Sequence, residues 1–461
     1  MTEIMTNTGV KDRGRVIAMC LIAVTALGWL GCMLFLMSAE VTNDTKRQLA
    51  EALSGTYADW KPVAYTCMID LMDILFPGDS VKALYILQIV MIAASVATIA
   101  LCYMRRHVKY TALVLVLPLF FTEKCMLVTS VGNDELAAAS YLFFIAGILC
   151  RDFIRCRVVR RLFVILVWGV LAYGMALRQN SVPAVMMLAC WGVWKLGVTR
   201  GWKIVCTALF FVVSGLVANV LLTYCVFGAE KSYPLRFSLA SDITNLSILE
   251  GEWHPLCKMK LKEGKDSKPH EECLLAADCV NRGGVLSPYT MYEDVAMRER
   301  DFEEMKKAWW ELVSEHPERY MMIKMFFFHS FLLEGRCIPW LCECVRDAYP
   351  HIGIFMEQES RCWRAWVNRE FVVMSLIPIV CYVMLSMYCM KWFRHWVKRS
   401  EVRMDAVVFI AVAFLYTFSF VMLVQSATEQ RYYIIRASLC CVGSALFFLS
   451  MLGKPRKQER D

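Results

Sequence analysis

The chain has 461 residues, of which 58% are hydrophobic, 13% aromatic and only 20% charged, and its net charge at pH 7 is +8. A soluble protein would carry about 25% charged residues and about 45–50% apolar ones. The excess apolar residues fall in long uncharged runs that are separated by short clusters of Arg and Lys. This pattern excludes a soluble enzyme, a disordered chain and a fibrous protein, and it predicts an all-α polytopic membrane protein.

A helix needs about 20 mostly apolar residues to cross the hydrocarbon core of a bilayer. Long runs at 16–37, 82–104, 203–227, 371–393, 404–425 and 432–452 meet this length. Shorter runs at 110–121, 135–150, 162–177 and 181–198 are interpreted as two helical hairpins, which gives about 10 spans. The run at 110–121 is also short enough for a re-entrant segment. The first run lacks a small-residue cleavage site and is predicted to be a retained anchor.

The distribution of Arg and Lys predicts the orientation of these spans, because cytoplasmic loops carry an excess of basic residues. Basic residues cluster at 11–15, 105–109, 151–161, 195–203, 394–403 and 454–460, whereas the alternate short loops hold few. Both termini are therefore predicted to be cytoplasmic. The net charge of +8 is mostly this topological signal and does not indicate a nucleic-acid partner.

The predicted organisation has five parts. They are a cytoplasmic N-terminus (1–15), an N-terminal transmembrane module (16–227) with a first outer loop at 38–81, a large and mostly helical extracytoplasmic loop domain (228–370), C-terminal transmembrane helices (371–452) and a cytoplasmic tail (453–461). Within the large loop, 301–328 has helical periodicity that Pro317 should interrupt. Its seven cysteines predict disulfides or free thiols, although Cys337, Cys342, Cys344 and His351 could in principle hold zinc.

The first candidate site element lies in the first outer loop, where Asp59 precedes a Trp, a Lys and Pro62. A proline can open a helix at its first position, and 63–76 has the periodicity of an amphipathic helix lying along the membrane. This arrangement would fix the Asp59 carboxylate at the membrane interface. The alternative is an interfacial turn with a capping Asp.

Further polar residues flank the later spans. Asp134 follows Asn133 at the start of a span and could cap that helix instead of serving a site. Arg178 and Asn180 lie between two spans, where the arginine could snorkel or bind a phosphate at the bilayer surface. His316 fits a helix-terminal residue better than a catalyst, and Arg431 at the start of the last span could bind a lipid phosphate or anchor the helix.

Taken in order, these motifs resemble a known family. An Asp-Trp-x-Pro element precedes Asn-Asp, then Leu-Arg-x-Asn, then Trp with His-Pro-x-x-Tyr, and finally Gln-Arg-Tyr before the last span. This order resembles the C-type (GT-C) integral-membrane glycosyltransferases of bacteria that use polyprenyl-phosphate sugars. It is most similar to those that modify O-antigen or other cell-surface glycans. The resemblance covers roughly 16–240 and 301–452.

The resemblance implies a GT-C-like bundle in the bacterial inner membrane with its active site facing the periplasm. It implies inverting transfer of a sugar, such as the hexose glucose, from a polyprenyl-phosphate donor to a surface glycan. Asp59 would be the general base, and phosphate and substrate would contact Asp134, Arg178, Asn180, Arg236, Arg431 and Lys124. Aromatic surfaces for the acceptor glycan would come from Trp253, Trp309, Trp310, Trp363 and Trp366. No cofactor is firmly implied, and a divalent cation stays open because some relatives need one.

Two other functions stay open from the sequence. A glycan polymerase or ligase is also a multispan enzyme with a large outer loop, but the carboxylate on the first loop argues against it. A transporter or flippase would place ionisable groups at mid-membrane and show repeated halves. The long runs have almost no charge at their centres and no internal repeat is evident.

Overall fold

The computed structural model describes residues 2–35, 40–41, 43–59, 61–104, 130–231, 299–332, 372–398, 400–423 and 433–452, together with Leu235, Ser238, Leu239, Asp242, Ile243 and Leu246. These residues are helical apart from turns and one pair of two-residue parallel strands, β1 (Glu40–Val41) and β2 (Ser130–Val131). The N-terminal helices are α1 (Thr2–Phe35), α2 (Asn43–Ser54), α3 (Val63–Leu75), α4 (Ser80–Met104), α5 (Asn133–Cys150), α6 (Arg157–Leu177), α7 (Val182–Lys195) and α8 (Gly201–Leu221). The later helices are α9 (Glu299–Glu315), α10 (Pro317–Leu332), α11 (Val372–Met387), α12 (Lys391–Lys398), α13 (Glu401–Leu423) and α14 (Tyr433–Leu452).

The prediction of an all-α membrane protein is confirmed. Within the described ranges, five helical segments are long and apolar enough to cross a membrane: Ser80–Met104, Asn133–Phe153, Arg157–Leu177, Gly201–Val226 and Glu401–Leu423. Shorter apolar stretches lie in α1 and α14, at Val16–Gly31 and Ser438–Met451. The run at 181–198 forms α7, which has 14 residues, and the run at 110–121 lies outside the described residues. The total of about 10 spans stays a prediction.

One predicted span is wrong in its extent. The run at 371–393 is not continuous, because α11 ends at Met387 and a turn over 388–390 leads into the separate helix α12. In that turn the backbone N–H of Tyr388 bonds the carbonyl of Leu385, and the N–H of Met390 bonds that of Met387. These hydrogen bonds run from residue i to residue i−3, whereas those of an α-helix run to residue i−4. The α-helix therefore does not continue through this turn.

The helices predicted at 63–76 and 301–328 are confirmed. The periodicity at 63–76 corresponds to α3, although Pro62 occupies the N-cap position and not the first helical turn. The periodicity at 301–328 corresponds to α9 and α10, which are divided at Pro317 as expected. Helix α2 has no counterpart among the predicted elements.

A buried ion pair attaches a segment after α8 to α9 and α10. Lys324 Nζ on α10 donates a 2.8 Å hydrogen bond to Asp242, whose other carboxylate oxygen accepts one of 3.1 Å from Trp309 Nε1 on α9. Burial raises the pKa of Asp242, and the charge of Lys324 opposes that shift. Phe328 on α10 also packs edge-to-face on Phe414 of α13, with ring centroids 5.8 Å apart. The described part of the large loop is therefore packed on the helical bundle.

Small residues allow close packing in the bundle. A Cβ atom at Gly147 of α5 would meet Val167 Cγ2 on α6 at 2.4 Å, and one at Gly443 of α14 would meet Ile410 Cγ1 on α13 at 2.8 Å. Helix α5 is buried along most of its length, which places it at the centre of the bundle. In membranes, where lipid is as apolar as leucine, such close backbone approach supplies much of the attraction between helices.

At one end of the bundle, a buried carboxylate connects three helices. Asp405, near the start of α13, accepts hydrogen bonds from Tyr103 Oη at the end of α4 (2.6 Å) and from Trp191 Nε1 on α7 (2.8 Å). Lys195, the last residue of α7, lies 2.8 Å from the same carboxylate and 2.7 Å from Glu401. We call this the basic end. The opposite end, where α4, α5 and α7 begin and α6 and α8 end, is called the site end.

Candidate active site at the site end of the bundle

Asp59 is held at the site end by the backbone on both sides of it. Its N–H donates a 3.0 Å hydrogen bond to the carbonyl of Glu230, and the N–H of Glu230 donates a 2.9 Å bond to the carbonyl of Tyr57. Ala58 and Glu230 thereby form a parallel β-bridge between the loop after α2 and the segment after α8. The Asp59 side chain is partly exposed. A carboxylate in that setting has a fixed backbone and access to ligands.

Tyr224 fixes the Asp59 side chain, and the sequence did not single it out. Its hydroxyl donates a 2.7 Å hydrogen bond to Asp59 Oδ2. Tyr224 belongs to a π-helical turn, Leu222–Val226, which extends α8. Such turns are rare in proteins, and those that do occur are often found at functional sites. Apart from a tyrosine at the end of an apolar run, the sequence offers no indication of this contact, because a π-helical turn has no simple pattern.

Other polar groups of the loop stabilise its conformation. Tyr57 packs edge-to-face on Phe227, with ring centroids 5.1 Å apart, and its hydroxyl donates a 2.8 Å bond to Asp70 of α3. That hydrogen bond raises the pKa of Tyr57 to about 12, because ionised tyrosine could no longer donate to the Asp70 carboxylate. Lys61 forms a 2.8 Å ion pair with Asp44 of α2. The loop is thus attached to α2, α3 and the end of α8.

The structure gives Asp134 a role other than helix capping. The N-cap of α5 is Gly132, and the Asp134 carboxylate instead pairs with Nε of Arg178 at the end of α6. Their side chains are 3% and 13% exposed, so Arg178 does not snorkel to water. A guanidinium has five N–H donors. Arg178 can therefore hold Asp134 and a ligand oxygen at the same time.

Next to this pair lies a buried amide. Asn180 is buried in the 3₁₀ turn between α6 and α7, and its Nδ2 has no hydrogen-bond partner within the part of the chain that the structure describes. The neighbouring Ser181 hydroxyl bonds the carbonyl of Arg178 and the hydroxyl of Tyr141. Buried donors without a partner are uncommon in folded proteins, which singles out the Asn180 amide among the polar groups near Arg178.

Helices α2 and α3 connect the loop that carries Asp59 with the start of α5, where Asp134 lies. Thr45 on α2 donates to the carbonyl of Val131, immediately before α5, and β1 pairs with β2 at the same place. Tyr65 on α3 is buried; burial raises its pKa, and the charges of Glu135 and Asp134 act in the same direction. Gln48 on α2 donates a 3.2 Å hydrogen bond to the carbonyl of Pro62, at the start of α3. Asp59, Asp134, Arg178 and Asn180 are therefore brought to one end of the bundle.

Three predicted phosphate or substrate contacts lie outside the described residues, namely Lys124, Arg236 and Arg431. The same holds for Trp253, Trp363, Trp366 and the seven cysteines of the large loop. Of the tryptophans proposed for the acceptor, the structure describes Trp309, which contacts Asp242, and Trp310, which is 65% exposed. No cluster of three or more His, Cys, Asp or Glu side chains that could hold a metal occurs in the described ranges.

The chain matches no protein-family model, no curated protein and no solved structure in the three comparisons with known proteins. The similarity to GT-C enzymes thus depends on the order of motifs.

Proposed function

We propose that this protein is a membrane glycosyltransferase of the GT-C type, which moves a hexose from a polyprenyl-phosphate donor to a surface glycan such as O-antigen. The observation that carries this proposal is the position of Asp59. Its partly exposed carboxylate is fixed by Tyr224 and by the Ala58–Glu230 bridge at the same end of the bundle as Arg178 and Asn180. A base and a phosphate-binding cation are the two groups that this chemistry requires.

The distribution of charge supports a periplasmic location for this end. The basic end carries the Arg-rich turn after α5, Lys195 and the basic helix α12, whereas the site end has few basic residues in the short connections between spans. Under the positive-inside rule, the basic end faces the cytoplasm of a bacterial inner membrane. The prenyl tail of the donor stays in the outer leaflet, so its phosphate lies at the level of the site.

The proposed reaction is a single displacement at the anomeric carbon. Asp59 takes the proton of an acceptor hydroxyl, and the resulting oxygen attacks the anomeric carbon. The bond between that carbon and the phosphate oxygen breaks, and its electron pair leaves with the polyprenyl phosphate. One displacement inverts the anomeric configuration. Arg178 would stabilise the charge on the leaving phosphate, with Arg236, Arg431 and Lys124 as further candidates.

Asn180 and the Arg178–Asp134 pair would position the substrate. An oxygen of the donor would supply the partner that the buried Asn180 amide lacks. Asp134 would hold the guanidinium in one orientation, so that a phosphate meets donors that are already in place. Exposed Trp310 is a candidate surface for stacking against the acceptor sugar.

The test is sugar transfer in membranes that are supplied with a labelled polyprenyl-phosphate hexose and the acceptor glycan. Because general bases contribute about 10²–10⁴-fold, Asp59→Asn should lower the rate of transfer by at least about 100-fold. Asp79→Asn is the matched control: it neutralises an exposed carboxylate just before α4, and an asparagine can still cap that helix. Transfer by Asp59→Asn within about threefold of wild type, at equal protein level, would remove Asp59 from this role.

A further inference from the structure

Helix α12 lies across the basic end, where three longer helices meet. It follows the end of α11 and precedes the start of α13. Its buried residues, Phe393 and Val397, pack on Val407 near the start of α13 and on Phe447 near the end of α14. The helix is therefore seated on the end of the bundle by one face only.

A second face of α12, beside the buried one, is basic and exposed. At 100° per residue, Lys391, Arg394, His395 and Lys398 fall within one arc of roughly 100°. Each of these four side chains is exposed, and residues 391–400 contain no acidic residue. Glu401, which follows directly, is engaged by Lys195 at 2.7 Å. Over 391–401, four Lys or Arg residues stand beside this single acidic residue, so the stretch is strongly basic.

Two tryptophans border the basic arc in the manner of membrane-interface residues. Trp392 is 61% exposed although it belongs to a helix seated on the bundle. Trp396 is half-buried against Phe447, with ring centroids 5.7 Å apart, and the guanidinium of Arg403 lies 3.8 Å from its ring centroid. Tryptophan is enriched at headgroup depth, where its ring meets the apolar boundary and its N–H meets water. An exposed indole beside a row of cations fits a membrane surface better than it fits bulk water.

We infer that α12 is an interfacial helix that binds the phosphate-bearing headgroups of anionic phospholipids at the basic end of the bundle. Lys391, Arg394 and Lys398 contact the headgroup phosphates, and Trp392 inserts beside them. The three cations occupy helix positions i, i+3 and i+7, so they form one row. This site is separate from the Asp59 site and stands on its own observations.

The test measures binding of phosphatidylglycerol and phosphatidylcholine to the purified full-length protein in a zwitterionic detergent, by native mass spectrometry at several lipid concentrations. Wild type should prefer phosphatidylglycerol. Each basic side chain near an anionic surface contributes roughly fivefold to affinity at low salt. The triple variant Lys391→Gln/Arg394→Gln/Lys398→Gln should therefore lose about tenfold or more of its phosphatidylglycerol affinity, while phosphatidylcholine binding is unchanged.

The matched control removes three exposed arginines near the same end but outside α12: Arg155→Gln/Arg157→Gln/Arg161→Gln. It should keep the preference of wild type. An equal loss in both triple variants would mean that charge anywhere at this end suffices, and the assignment to α12 would be wrong. Inorganic phosphate at matched ionic strength should not displace the lipid, and displacement would point to a soluble anion instead. Gel filtration and thermal unfolding verify that the variants are folded. A second test, Trp392→Ala, changes no charge and should also weaken binding of phosphatidylglycerol.

Discussion

Lys195→Met tests whether the buried ion pair at the basic end holds α7 and α13 together. Lys195 Nζ and Asp405 Oδ1 are 2.8 Å apart, and their side chains are 9% and 0% exposed. Two unit charges at that distance attract each other by about 6 kcal/mol at an effective dielectric constant of 20. The cost of removing both from water offsets part of this attraction, but removal of only one partner leaves the other charge buried.

We expect Lys195→Met to lower the free energy of unfolding by about 3 kcal/mol. This lies at the lower end of the usual 3–5 kcal/mol for breaking a buried pair, because Tyr103 and Trp191 still donate hydrogen bonds to Asp405. The double variant Lys195→Met/Asp405→Asn no longer buries an unpaired charge. It should be destabilised by at least about 1 kcal/mol less than the sum of the two single variants.

The assay is reversible unfolding in mixed micelles of increasing SDS content, followed by tryptophan fluorescence. The control is Lys306→Met, which removes the partner of Glu303 in an ion pair whose side chains are 46% and 67% exposed. Such surface pairs contribute about 0–1 kcal/mol. The reasoning is refuted if Lys195→Met costs no more than Lys306→Met, or if the two changes at 195 and 405 are additive.

Two further predictions concern the site and the packing. Tyr224→Phe keeps the ring but removes the hydrogen bond to Asp59, so kcat should fall roughly tenfold with little change in KM. The control is Cys225→Ser at an exposed position in the same turn, which should leave kcat and KM unchanged. A change in KM alone would contradict a positioning role. Gly443→Val forces a side chain against Ile410 and should lower the free energy of unfolding by about 2 kcal/mol. Gly169→Ala on α6 meets nothing within 4 Å and should be neutral or stabilising, so equal destabilisation of the two glycine variants would refute the packing argument.

One helix was predicted with the wrong extent and one contact was not predicted, and both have the same physical cause. The run at 371–393 is apolar enough to be interpreted as one span. The chain nevertheless turns after Met387, and Phe393 and Val397 of the next helix pack on α13 and α14. Asp134 has the local pattern of a capping residue, but its carboxylate reaches Arg178, which is 44 residues away in the chain. Neither outcome can be obtained from neighbouring residues, since each depends on which helices meet.

The sequence by itself determined the class of the protein and most helix positions. Apolar runs set where a chain can lie in lipid, and local punctuation such as Pro317 sets where a helix ends, so α4, α6, α9 and α10 were predictable. It also singled out Asp59, Asp134, Arg178 and Asn180 by their place at the ends of runs.

Only the tertiary structure decided which of these residues come together and what holds them. The contact of Tyr224 with Asp59 spans 165 residues, and that of Asp405 with Tyr103 spans 302. The reason is that hydropathy identifies which segments of the chain are apolar but not which helices meet. Side-chain pairing depends on how each helix is rotated about its axis and on how closely two helices approach. That approach is set by small residues such as Gly147 and Gly443, whose partners lie on other helices.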